Sequence, residues 1–149
     1  MKKLLTSLVG ATCALAMSSN AYANDDALCS LYSKTGGATV EFMLPLTMQQ
    51  FVDMMAGKEP ALMNQMTMKL LGEFNSDDLA ALATVNQQDA EVIGEAAGMV
   101  AVELLMSGQA TTKSDIVSVM NSGCNAIGAQ TIINNQKAAR NATQANMGQ

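Results

Sequence analysis

The sequence predicts an all-α protein: a small single-domain helical bundle of about four to six helices with one disulfide. Three observations carry this. Apolar residues recur at helical spacing along most of the chain. Only two prolines, Pro45 and Pro60, interrupt it. Two cysteines, Cys29 and Cys124, remain once the N-terminal segment is set aside, an even count that favours pairing in an exported protein.

That segment reads "MKKLLTSLVGATCALAMSSNAYAND". Lys2 and Lys3 precede an apolar run from Leu4 to Met17, and Ala21-Tyr22-Ala23 forms a small-residue cleavage signal. The pattern is a secretory signal peptide over residues 1–23, cleaved to leave Asn24 first. The apolar run is shorter than the roughly 20 residues a membrane span needs. Thr12 before Cys13 fits a lipoprotein signal poorly. The expected location is periplasmic or secreted. The remaining 126 residues, six Lys/Arg against 13 Asp/Glu, carry a formal charge of −7. They divide into a helical domain over 24–136 and a polar C-terminal tail over 137–149.

The first helix starts at Asn24 or Asp25, with acids in its first turn. Leu28, Cys29 and Tyr32 share a face, and Gly36-Gly37 is expected to break or bend it. "TVEFML" alternates like a strand but has no partner strand, so it reads as helix ending before Pro45. "TMQQFVDMMAG" is the clearest helix. Thr47 and Gln50 form a capping box. Met48, Phe51, Val52 and Met55 make the apolar stripe expected to face the core, Met54 lies off it, and Gly57 stops the helix. The next helix has Pro60 in its first turn, Met63, Met66 and Leu70 inward, Met68 off the stripe, and Gly72 at its end. A short helix follows with Ser76 as N-cap.

"DAEVIGEAAGMVAVELLMSG" is the central helix. Ile93, Ala97, Val100 and Leu104 share one face; Glu91, Glu95 and Glu103 share the other. Gly94 and Gly98, like Ala97 and Ala101, are four apart, which suits close approach by a neighbouring helix. The last helix, "TTKSDIVSVMNSGCNAIGAQTIINN", is capped by Thr112 and Asp115. Its stripe of Ile116, Met120, Cys124 and Ile127 puts Cys124 on the core side. Lys137 and Arg140 suit a helix C-terminus, or belong to a frayed tail.

The residues argue against catalysis. The chain has no histidine, the commonest general base, and it has no phosphate loop or nucleophile elbow. The acidic pairs Asp25-Asp26 and Asp77-Asp78 sit where first helical turns favour negative charge. Cys29 and Cys124 lack redox C-x-x-C spacing, and their expected role is a structural disulfide. The acidic balance and four scattered aromatics, Tyr32, Phe42, Phe51 and Phe74, exclude a nucleic-acid footprint. No cofactor or membrane span of the mature chain is expected.

The unusual feature is "EFMLPLTMQQFVDMMAGKEPALMNQMTMKL", with seven methionines between Glu41 and Leu70. Methionine fills irregular cores and lines adaptable binding surfaces. Its thioether also selects Cu(I), and Met63-x-x-Met66-x-Met68 has plausible ligand spacing for a soft metal. The favoured expectation is a non-enzymatic exported protein that binds another protein, as a chaperone, inhibitor or immunity-type partner; a methionine-based Cu(I) carrier is the alternative. The gross plan of signal peptide, two cysteines joining helices and no catalytic set resembles the acid-stress chaperones of the bacterial periplasm. The likeness is one of plan, and no motif matches residue by residue. Separately, the 13 carboxylates have reference pKa values of ~3.9 and ~4.3, and they include those at the helix starts Asp77-Asp78 and Asp115. The bundle is therefore expected to loosen near pH 2–4 as they protonate, while Cys29–Cys124 limits how far it opens.

Overall fold

The computed structural model describes residues 25–148. The expected signal peptide, its cleavage point and Cys13 lie outside them. The described residues form seven helices and no strand: α1 (Asp25–Met43), α2 (Met48–Met55), α3 (Pro60–Glu73), α4 (Ser76–Thr84), α5 (Gln87–Met106), α6 (Lys113–Ile127) and α7 (Ala129–Met147).

Helix α1 is the axis of the bundle. It packs along α6 and α5 and also meets α3, α4 and α7. A helix surrounded this way must be small or apolar on nearly every side, and Thr35 through Val40 are all buried. The polar side chains in this stretch are satisfied within the helix. The Thr35 and Thr39 hydroxyls each donate to the carbonyl four residues back, at 2.8 Å. Gly36 and Gly37 do not break α1. They are the seat of α6: a Cβ on Gly36 would stand 2.3 Å from Met120 Sδ, and one on Gly37 would stand 2.5 Å from Val117 Cγ2. A glycine inside a helix costs about 1 kcal/mol relative to alanine, and here close helix packing offsets it.

The principal core gathers α1, α4, α5, α6 and α7 around Ile93, Ile116, Ile133, Val40 and Val92. Cys29 and Cys124 are bonded inside it, with Cα atoms 5.5 Å apart across 95 residues of sequence. α6 begins in the expected Thr112–Asp115 capping box. The expected single last helix is two helices. Gly128, at φ 87°, ends α6 and starts α7. This break removes Ile127 from the core stripe, leaving it 55% exposed, and Ile133 of α7 fills the core instead. The second half of α7, from Lys137, is held to α5 by charge. Arg140 forks onto Glu95, Gln136 also donates to Glu95, and Lys137 Nζ lies 2.5 Å from Asp89 Oδ1.

Helix α4 is capped by Asn75 rather than Ser76. Asn75 and Asp78 exchange hydrogen bonds at 2.9 Å in both directions. Asp78 also accepts from Ser30 Oγ at 3.1 Å and pairs with Lys34 Nζ at 2.5 Å, which docks α4 on α1. Burial alone would raise the Asp78 pKa. The Lys34 ammonium, the Asn75 amide and the Ser30 hydroxyl outweigh burial and hold it below the ordinary carboxylate value.

A second, smaller cluster joins α2 and α3 to α1 through Met54, Met66, Leu70 and Ala38. The Thr47–Gln50 capping box and the Gly57 stop stand as expected. The register of α2 does not. Met54 is 3% exposed, whereas Met55, Val52 and Met48 are 43, 50 and 77% exposed. At 100° per residue the apolar arc of α2 spans about 160°. Only its Phe51–Met54 edge meets the core, and the centre of the stripe faces outward. On α3, Met66 and Leu70 are buried as expected and Met68 is exposed, while Gly72 stays helical and Phe74 caps the end.

A methionine-lined candidate binding groove

Where α2 and α3 fold back beside α5 they leave an apolar groove of about 560 Å³. Six methionines line it: Met43, Met54, Met55, Met66, Met99 and Met106. Gly94 and Gly98 lie in its α5 wall. The close approach expected along α5 is seen at Ala101, which packs against Gly36 of α1 with its Cβ 3.2 Å from where a Gly36 Cβ would stand. Thr35 and Thr39 also border the groove, and the donating proton of each hydroxyl is already engaged with backbone.

The groove is open at its rim: Met55, Met99 and Met106 are 43, 52 and 82% exposed. Its one ionisable lining residue is Glu103 of α5, with no cation within ion-pair distance among the described residues. All six lysines and arginines of residues 25–148 pair with carboxylates elsewhere.

An ionic tether secures the α3 side. Glu41 Oε2 of α1 accepts from Lys69 of α3 and Lys113 of α6, each at 2.9 Å, and Lys113 also reaches Glu73 of α3 at 2.5 Å. The hydrogen bonds from Lys113 and Lys69 hold the Glu41 pKa below its ordinary value. Burial alone would lower the Lys113 pKa, but Glu41 and Glu73 raise it.

A second hollow, of about 520 Å³, lies between α6 and α7. It runs over Tyr32, Met120 and Cys124 and is edged by Asn135 and Gln136. The Tyr32 hydroxyl, with its pKa pushed up to about 12 by burial, stays protonated there at any physiological pH.

Compared with family models, curated proteins and solved structures, the chain finds no match. The site is therefore read from its own geometry. Of the three residues proposed from spacing as metal ligands, Met66 lines the groove, Met63 packs half-buried against the same cluster, and Met68 is 69% exposed. Residues two apart on a helix point about 200° apart, so Met66 and Met68 diverge. No group of three or more His, Cys, Asp or Glu suited to a metal occurs among the described residues. Sequence reasoning counted Met43 in the methionine-rich stretch without giving it a role, and did not single out Met99 or Met106. The signal was present on α5, where Met99 and Met106 stand seven apart beside Gly94 and Gly98.

Proposed function

We propose that this is an exported, non-enzymatic binding protein that takes apolar segments of other proteins into the methionine-lined groove, in the manner of a chaperone or a dedicated partner. The observation that carries this reading is the groove itself: deep, nearly free of polar groups, open along its rim, and lined by the most adaptable of apolar side chains. Unbranched thioethers repack around differently shaped guests at little cost. A helix laid in such a groove is a recurrent mode of peptide recognition. The buried disulfide suits an oxidising compartment, and no helix of the described residues is long and apolar enough to cross a membrane.

The test is suppression of aggregation of an unfolding client, together with binding of a dye for apolar surface. Met99→Asp puts charge on the rim and Gly98→Leu fills the groove, while Met68→Ser alters an exposed methionine outside it. Rim and filling variants should lose client protection and the outer variant should keep it. Equal protection by all of them would remove the groove from the mechanism.

The soft-metal reading has one observation in its favour, the six thioethers around one groove. Competition for Cu(I) against a chromogenic chelator tests it. A Met54→Leu, Met66→Leu, Met99→Leu variant that holds Cu(I) as well as the parent would eliminate it.

A further inference from the structure

We propose that the occupant selected by this groove is the apolar face of a basic amphipathic helix in a partner protein. This rests on the groove being a protein-binding site and specifies what it recognises.

The first argument is shape. On the α5 side the edge is formed by Met99, Val102 and Met106, at i, i+3 and i+7. That is two helical turns, about 10 Å of continuous apolar edge. On the α2 side the stripe of Met55 continues outward through Val52 and Met48, both at least half exposed. An elongated trough with apolar shoulders fits a helix that anchors at i, i+3/i+4 and i+7.

The second argument is charge. Glu103 stands between Met99 and Met106 on the α5 edge, four residues after the first and three before the second, so it projects from the same side of the helix. It is exposed, and among the described residues it has no ion-pair partner. Every lysine and arginine of residues 25–148 is already committed to a carboxylate elsewhere, and no basic residue lines the groove. A guest carrying Lys or Arg beside its apolar face meets an unpaired carboxylate. A guest carrying Asp or Glu there meets repulsion with nothing to offset it. The −7 balance of residues 24–149 adds long-range attraction for basic guests. An anionic lipid would bring its headgroup against Glu103, so charge disfavours it as the occupant.

The experiment uses the disulfide-intact protein and two labelled helical peptides with one Leu/Phe face and either Lys or Glu on the polar face, read by fluorescence anisotropy. The Lys peptide should bind more tightly, and the difference should shrink with added salt. Glu103→Gln should weaken the Lys peptide about two- to five-fold, the range of one exposed ion pair. Glu91→Gln makes the same change in net charge away from the groove, and should leave binding within error of the parent. Equal affinity for the two peptides, or equal effects of Glu103→Gln and Glu91→Gln, overturns the charge selectivity. In either case the groove reading survives if Met99→Asp still weakens both peptides. If neither peptide binds while vesicles of anionic phospholipid do, the protein-binding reading fails as well.

Discussion

The two clusters of this molecule are built from different material. Around the disulfide the filling is mostly β-branched and small, with Ile93, Ile116, Ile133, Val40, Val92 and alanines beside leucines, Tyr32 and a single methionine, Met120. The β-branched side chains have few rotamers, so the packing they form is specific. Beside the groove the filling is Met54, Met66 and Leu70, edged by Phe42 and Phe51. Three rotatable bonds per methionine let this cluster reshape. The first region is closed by a covalent bond across 95 residues, the second by the Lys69–Glu41–Lys113–Glu73 tether. The contrast shows how a small bundle can hold a rigid frame and an adaptable surface at once: stiffness and plasticity go to different helices.

Removing the disulfide strikes the frame hardest. Closing a loop of this size is worth about 4–5 kcal/mol in the chain-entropy account. The Cys29→Ser, Cys124→Ser variant should lose most of that in denaturant unfolding. An unchanged midpoint would mean that the frame does not depend on the bond.

Next come cavities. Ile116→Ala and Met54→Ala should each destabilise by about 2–5 kcal/mol, with Ile116 toward the upper end because its surroundings adjust less. Met55→Ala and Met68→Ala should stay within about 0.5 kcal/mol, as exposed positions do. Equal losses at Met54 and Met55 would show that both faces of α2 are buried in solution, and would erase the distinction between its core edge and its rim.

Overpacking probes the frame more finely, at the seat of α6 on α1. Gly37→Ala should cost about 1–3 kcal/mol, because the short, branched Val117 cannot swing away. Gly36→Ala should cost less, since it meets the movable end of Met120. Thermal unfolding of the two variants gives the order.

Acid should act most gently, and on the tether first. Glu41 and Asp78 are held below their ordinary values of 4.5 and 3.8. Their stabilisation is complete above those values and is lost as pH falls through the lower, folded ones. Lys113, shifted upward, stays charged throughout. Below about pH 4, amide exchange should therefore rise in α3 and α4 before α6. Simultaneous exchange in all three helices would mean that acid opens the molecule as one unit.

Much of this was legible in the residues. Helical periodicity, the Thr47 and Thr112 capping boxes, Pro60 at a helix start and the Cys29–Cys124 pair all act locally or by simple counting, and all appear as read. Two misreadings are local, the Asn75 cap taken as Ser76 and the helix end at Gly128. Ile127 looks like core until Gly128 turns the chain. The others involve tertiary partners. Gly36-Gly37 looks like a break until α6 is seen seated on it. The α2 stripe points to the core only if the core lies at the centre of the apolar arc, and in an eight-residue helix that is apolar over nearly half its circumference, periodicity cannot say which edge is covered. The groove was illegible for the same reason: its walls come from α1, α2, α3 and α5, which no local pattern brings together.

The 95-residue span between the bonded cysteines also sets an order of events. A chain emerges N-terminus first, at roughly 5–20 residues per second, so Cys29 waits about 5–20 s for its partner. The rest of α1 and all of α2 to α5, with every methionine of the groove, appear in that interval. Until α6 follows, Cys29 is a free thiol on a helix whose Gly36 and Gly37 still lack Met120 and Val117 against them. The covalent bond can therefore close only once α6 has been made, and the thiol of Cys29 becomes a chemical mark of a molecule still without that helix.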